Sequence, residues 1–373
     1  MPEIIAQKRL HQLDFLRGLA IILVLMRHQP FHITIFNLGW IGVDLFFVLS
    51  GFLISSLIFK EFKRTNSFNP KLFLIRRGFK IYPTYYLFII IFSIPLILNG
   101  EFEFGKVLNE LVFIQNYTLG FGYSFGPSWS LAIEEHFYIG FALIIFFILK
   151  KNPLLLYEES KKFWNQKFVI GLLIFLVLVL VSRYFNLIYF RKYAIDNYLL
   201  THFRIDSIGF GVLIGYADVF FKRFFKAAVE KWNWLLIILS ILLISWTPFV
   251  TLFESYFALS IGFTLVYCAF GFLLSLMLIY GHYYYTIRSK ITILLSLIEV
   301  IGKSSYVIYI LHEGINEVYQ SLFGIANTSI PQFVAFIITS IVSVSIGILF
   351  TEKIELSFLR LRNKYYPAKI SSG

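Results

Sequence analysis

The chain has 373 residues, of which 58% are hydrophobic, 20% aromatic and only 14% charged. That balance lies outside soluble composition and marks a polytopic membrane protein. The formal net charge of +12 collects between apolar runs, so it reflects orientation in a membrane rather than a nucleic-acid footprint, and the single cysteine, Cys268, excludes an internal disulfide or a cysteine-based metal site.

The apolar runs predict an all-α fold of ten transmembrane helices, at Leu13 to Pro30, Gly39 to Phe59, Ile81 to Leu98, Trp129 to Leu149, Phe168 to Leu187, Tyr198 to Phe221, Trp234 to Phe249, Phe257 to Ile279, Tyr306 to Phe323 and Phe333 to Phe350. The segment from Phe102 to Tyr117 is too short to span and is broken by Glu103, Lys106, Glu110 and Gln115; it reads as an interfacial or re-entrant helix. The first run contains Arg17 and lacks a small-residue cleavage site, so it reads as a retained helix rather than a removable signal peptide. Lysine and arginine gather in alternate loops, around 60–80, 150–167, 222–231 and 288–290 and in the tail. This predicts both termini on the cytoplasmic side, which requires an even number of spans. With no internal repeat, low-complexity region or soluble segment, residues 1–373 read as one multi-pass domain of the inner (plasma) membrane, with no soluble domain appended.

Ionisable groups inside a span are costly, and they line cavities or substrate paths rather than face lipid. In the first helix, LDFLRGLAIILVLMRH, Arg17 and His28 share one face, about three turns and ~16 Å apart. In the second, GWIGVDLFFVLSGFLISS, Asp44 needs a partner, whereas Gly42, Ser50, Gly51, Ser55 and Ser56 suit close helix packing. The run RRGFKIYP puts Arg77 and Lys80 on one face at the entrance of the third helix. It is either positive-inside decoration or, with Arg76, a clamp for the phosphates of a cytoplasmic ligand.

The densest signal is GPSWSLAIEEHFY, in which Ser128 is placed to cap the fourth helix and Trp129, Glu134, Glu135, His136 and Tyr138 follow at its mouth. Glu134 and Tyr138 lie at i and i+4. THFRIDS brings Arg204 and Asp206 into the sixth helix, where the plain alternative to binding is charge compensation, mutual or with a neighbouring helix. GKSSYVIYILHEG carries His312 and Glu313, and a lone helix histidine is more often a satisfied hydrogen-bonding group than a catalyst.

Taken in order, LDFLRG with Arg17 and His28, GVDLFFVLSGFLIS, RRGFKIYP, WSLAIEEHFY, HFRIDS and SSYVIYILH resemble the acyltransferase type 3 family of integral membrane O-acyltransferases. The resemblance covers nearly the whole chain. It implies transfer of an acyl group, commonly acetyl, from cytoplasmic acyl-CoA to a hydroxyl of a cell-envelope sugar. The family's first-helix arginine and histidine correspond to Arg17 and His28, and its Trp-Ser-Leu-x-x-Glu glutamate falls on Glu134. Lys80 stands where the family, after the paired arginines, usually has a further arginine, keeping the charge but weakening bidentate phosphate contact. Glu355-Leu-Ser-Phe358 stands where the family tends to show Glu-Arg-Pro-Phe, so Glu355 is assigned no role. Some relatives append an extracellular hydrolase-like domain; here the chain stops soon after the tenth helix, and transfer is expected from the membrane domain or with a separate partner.

A sugar hydroxyl is a poor nucleophile at neutral pH, and histidine suits the base it needs. The catalytic candidates are His28, as base or transient acyl carrier, and Glu134, orienting it. Arg17, Arg76, Arg77 and Lys80 are the donor-binding candidates, and Asp44, Trp129, Tyr138, Arg204, Asp206 and His312 the substrate-binding ones. The expected ligands are acetyl-CoA or another acyl-CoA, a glycan or lipid-linked sugar and membrane lipid, with no metal or nucleic acid and with self-association left open. Two other classes compete. A transporter or flippase would share the spans and buried charge, but no inverted repeat of motifs is visible. A histidine-ligated metal enzyme is prompted by His28 and His32 at i, i+4, with Pro30 breaking the helix between them.

Overall fold

A computed structural model describes residues 10–28, 34–190, 194–324 and 329–367. Among these the chain is helical throughout: α1 His11–Arg27, α2 Gly42–Thr65, α3 Pro70–Leu98, α4 Phe104–Leu111, α5 Gln115–Thr118, α6 Ser128–Lys151, α7 Lys167–Tyr189, α8 Asp196–Leu199, α9 Thr201–Phe220, α10 Lys222–Lys231, α11 Asn233–Ile244, α12 Phe263–Ile279, α13 Gly281–Lys290, α14 Thr292–Lys303, α15 Ser305–Phe323, α16 Ser329–Phe350 and α17 Leu356–Tyr365, with short 3₁₀ and π turns between. Helix suits such apolar runs because every backbone polar group is satisfied within the segment, leaving none to be buried unpaired in hydrocarbon.

Among the described residues, six stretches are long and apolar enough to cross a membrane: Phe36–Thr65, Pro70–Leu98, Ser128–Lys151, Lys167–Tyr189, Ala258–Ile279 and Gln332–Tyr365. Two further pairs, α10 with the stretch Asn233–Phe249 and α14 with α15, are bent by 75° and 80° and bring the number to as many as eight. The other two runs expected to span are α1, 17 residues long, and α9, which carries Arg204, Asp206 and Asp218 among its 20 residues. The first is short and the second polar, which is why neither stands out by length and hydropathy.

Small residues draw the helices together. A Cβ built on Gly51 of α2 would meet the Ile208 carbonyl oxygen of α9 at 1.9 Å, and one on Gly302 of α14 would meet the Asp14 oxygen of α1 at 1.8 Å. Only a residue without a side chain permits such backbone approach. Glu299 reinforces the α1–α14 contact, accepting from Arg288 Nε at 2.7 Å and from the Tyr284 hydroxyl and His11 Nδ1 at 2.8 Å each.

The intramembrane charges Arg204 and Asp206 of α9 are paired with other helices rather than with each other. Arg204 lies 3.0 Å from Asp44, which also accepts from Ser207, and Arg183 of α7 grips Asp206 with two bonds of 2.7 and 3.1 Å. All four charged side chains are fully buried, and the Arg204 guanidinium stacks 3.7 Å from the Phe263 ring centroid. Of the two forms of charge compensation the sequence allows, compensation by a neighbouring helix is the one adopted.

The segment from Phe102 to Tyr117 forms the short α4 and α5, neither long enough to cross. Two of its polar residues pack inward: buried Glu110 accepts from the amides of Tyr123 and Ser124 and from Ser128 Oγ, and Gln115 donates to the Ser128 carbonyl. The Ser128 hydroxyl therefore serves Glu110, not the cap expected at the start of α6, where no side-chain cap bond forms.

Candidate active site

A cavity of about 80 Å³ opens between α1, α2, α3, α6, α14 and α15. Four cations line it: Arg17, Arg77, Lys80 and Lys303. Ser50, Ser130, Ser305, Glu134 and Glu135 supply the polar remainder, and Phe46, Phe47, Tyr306 and Tyr309 the aromatic wall. The i, i+3 spacing on α3 delivers Arg77 and Lys80 as the sequence predicts. Arg17 comes from α1, and Lys303 joins because α14 ends there and the chain turns by 80° into α15. Four cations in one lining, with Glu355 behind Lys80 and Asp14 beside Arg17, offer charge-assisted contacts to phosphates.

Arg77 and Lys80 are each held in place. Arg77 donates to the Tyr138 hydroxyl at 2.7 Å, and that hydroxyl donates to Glu134, so the predicted i, i+4 pair forms. Glu134 also accepts from Ser50 at 2.8 Å, which gives this serine a polar role beyond packing. Lys80 lies 3.7 Å from Glu355, the residue to which the sequence assigns no role. Arg76 departs from the expected clamp: it is absent from the cavity lining and bonds the carbonyl of Tyr366, because adjacent residues on a helix point about 100° apart.

A second polar cluster forms around His28, where α1 meets α15. His28 Nδ1 lies 3.0 Å from the Val24 carbonyl and 3.1 Å from His312 Nε2, and His28 Nε2 lies 3.1 Å from Glu313 Oε1. His312 Nδ1 lies 2.7 Å from the Tyr309 carbonyl. A carbonyl only accepts, so both Nδ1 atoms carry protons. His312 Nε2 is then left to accept from His28, and His28 Nε2 faces Glu313 at ion-pair distance. Asn316 donates to the His28 carbonyl at 3.1 Å and holds the end of the helix. His28 and Glu313 keep about a third and a quarter of their side chains exposed, so the pair is reachable, while His312 is fully buried.

The hydrogen bonds therefore divide residues that the sequence reading joined. Glu134, expected to orient His28, bonds Ser50 and Tyr138 instead, and the carboxylate at His28 is Glu313. His312, expected to touch substrate, backs His28. Trp129 is buried against Tyr198 and Phe47, at 4.4 and 6.4 Å between ring centroids, and Tyr138 is buried beneath Arg77. Asp44, Arg204 and Asp206 are engaged in the interhelical ion pairs and do not line the cavity. Glu313 and Lys303 escaped selection although GKSSYVIYILHEG contains both; adjacency of Glu313 to His312 was the available signal.

His28, His312 and Glu313 offer ligand atoms within 4.8 Å of one another, a donor set that could hold a transition metal. A metal there would have to break the contact between the two rings. His32, the other half of the histidine pair noted in the sequence, and Pro30 lie outside the described residues.

A family model for an acyltransferase domain matches residues 10–352. The chain belongs to this family. It is 35% identical over 170 residues to the peptidoglycan O-acetyltransferase OatA of Listeria monocytogenes, covering 40% of this chain and 27% of that protein. It is 26% identical over 369 residues to a provisionally named O-acetyltransferase of Staphylococcus aureus, covering 91% of this chain and 55% of the relative. A provisionally named peptidoglycan O-acetyltransferase of Bacillus subtilis, YrhL, is 35% identical over 145 residues, 34% of this chain and 22% of the relative. The chain thus spans about half, or less, of the length of the curated relatives it matches. No solved structure matches.

Proposed function

We propose that this acyltransferase-family protein is an O-acetyltransferase that moves an acetyl group from acyl-CoA, taken up on the cytoplasmic side, to a hydroxyl of a cell-wall glycan. One observation carries the reading: a single helix, α1, presents Arg17 to a four-cation cavity near one end and His28, paired with Glu313, at the other. A phosphate-bearing donor and a base-activated acceptor need this separation, and the names of the relatives support a peptidoglycan acceptor.

In this scheme Arg17, Arg77 and Lys80 hold donor phosphates while the thioester points toward His28. The acceptor hydroxyl binds the exposed side of the His28–Glu313 pair. As its oxygen bonds to the thioester carbonyl carbon, its proton passes to the pair; the carbon–sulfur bond then breaks, and the departing thiolate takes that proton as free thiol. His312 keeps Nδ1 of His28 protonated, which keeps Nε2 basic.

The topology that goes with this has ten crossings in one plasma-membrane unit, counting α1 and α9 with the six straight and two bent spans, and both ends cytoplasmic. The loop charges support it, since Arg17 then faces the donor and His28 the wall. The test is purified protein in liposomes with acetyl-CoA and peptidoglycan fragments: thiol release together with an acetyl ester on the glycan, both abolished by His28→Ala. Glycan movement across the bilayer without thiol release would instead identify a transporter.

A further inference from the structure

We propose that Lys303 and Glu135 read the 4′-phosphopantetheine arm of the donor, Lys303 through its phosphate and Glu135 through an amide N–H. This rests on the acyltransferase reading above and adds two residues to which neither the sequence reading nor that mechanism assigns a role.

The argument is an accounting of partners inside the cavity. Arg17 has Asp14 at 3.9 Å, Arg77 has Tyr138, Lys80 has Glu355, and Glu134 has Ser50 and Tyr138. Lys303 lines the same cavity, and among the described residues no acid lies within ion-pair distance of it. Glu135 is 97% buried by its 3% exposure; its Oε2 accepts from the Tyr82 hydroxyl at 3.0 Å, and its Oε1 is buried with no partner. An unneutralised cation and an unused acceptor in one chamber describe a ligand carrying both an anion and an N–H donor.

Among carriers of an acyl thioester, the phosphopantetheine arm has this composition: a phosphate at one end, amide N–H groups along its length and the thioester at the other end. The direction also fits. Tyr309 lines the cavity and its carbonyl accepts from His312, so the far wall of the chamber is continuous with the base. Coenzyme A and an acylated carrier protein share this arm, and the chamber reads only what they share.

The test measures inhibition of acetyl transfer by pantetheine and by 4′-phosphopantetheine, each competing with acetyl-CoA. Wild type is expected to prefer the phosphorylated arm by ~10-fold or more, as charge-assisted phosphate contacts do. Lys303→Gln should abolish that preference and Lys303→Arg retain it. Glu135→Met should weaken both inhibitors by the same factor and leave their ratio intact. Acetyl-CoA and an acetylated carrier protein, offered separately as donors, identify the source. A preference that survives Lys303→Gln, or is absent in wild type, overturns the assignment of Lys303; inhibition constants unchanged in Glu135→Met overturn that of Glu135. If Glu135→Met does not fold, wild type decides the same contact: pantetheine with its amides N-methylated should inhibit more weakly than pantetheine, and equal inhibition overturns the assignment of Glu135. Wild-type protein that transfers acetyl from no donor would sink the acyltransferase reading itself, an outcome distinct from these.

Discussion

Glu313 Oε1 stands 3.1 Å from His28 Nε2, across 285 positions of sequence, and so pairs the histidine at the end of α1, proposed as base, with a carboxylate from the middle of α15. The carboxylate at His28 thus comes from a helix other than the one carrying the Trp-Ser-Leu-x-x-Glu motif.

Substitution separates the two glutamates. Glu313→Gln removes the carboxylate facing Nε2 of His28, so kcat should fall by about 10²-fold or more with donor KM little changed. Glu134→Gln, which loosens the Tyr138–Arg77 linkage in the cavity, should act mainly on donor KM. Steady-state kinetics with acetyl-CoA varied at saturating acceptor distinguish the two, and the reverse pattern would restore Glu134 to the base.

The paired arginines of α3 should differ just as clearly. Arg77→Ala is expected to raise donor KM by roughly 10-fold or more, through loss of a charge-assisted phosphate contact. Arg76 bonds the Tyr366 carbonyl away from the cavity, so Arg76→Ala should leave donor KM within about twofold and act, if at all, on stability. Equal KM effects would mean that Arg76 reaches the donor after all.

Close packing sets a further expectation. Gly302→Ala would drive a Cβ to 1.8 Å from the Asp14 carbonyl oxygen, a backbone atom with nowhere to retreat. The resulting separation of α14 from α1 should cost about 1–3 kcal/mol, read as a lowered thermal transition in detergent, and should move Lys303 away from Arg17. An unchanged transition would show that the two helices can part freely.

The interhelical ion pairs can be tested by unbalancing one. Arg204→Met leaves Asp44 charged and buried and should destabilise by about 3–5 kcal/mol, whereas the double change Arg204→Met with Asp44→Leu should recover most of the loss. Thermal unfolding of both variants checks this; equal losses would mean that packing, not charge, dominates at the site.

Much of the architecture is written locally. Apolar runs of about twenty residues predict helices because lipid tolerates no unpaired backbone, and the stretches that stand out as spans fall on the predicted segments. The cavity face of α3, the Glu134–Tyr138 pair and the shared face of Arg17 and His28 follow from helical periodicity alone. The need of Asp44 for a partner follows from the cost of an isolated buried charge.

What the sequence could not express is which distant group meets which. Whether His28 finds Glu134 or Glu313 depends on how α1 lies between its neighbours, and that is set by the approach of Gly302 to the α1 backbone and by Glu299 tying down His11. Lys303 becomes a cavity residue only because the chain bends at the α14–α15 junction, and Arg76 leaves the cavity because it points away from the face of Arg77. Sequence determined the helices, their polar faces and the chemistry available along them, since those depend on each residue and its near neighbours. Tertiary structure alone decided the partners, because a contact across hundreds of residues is selected by the packing of whole helices.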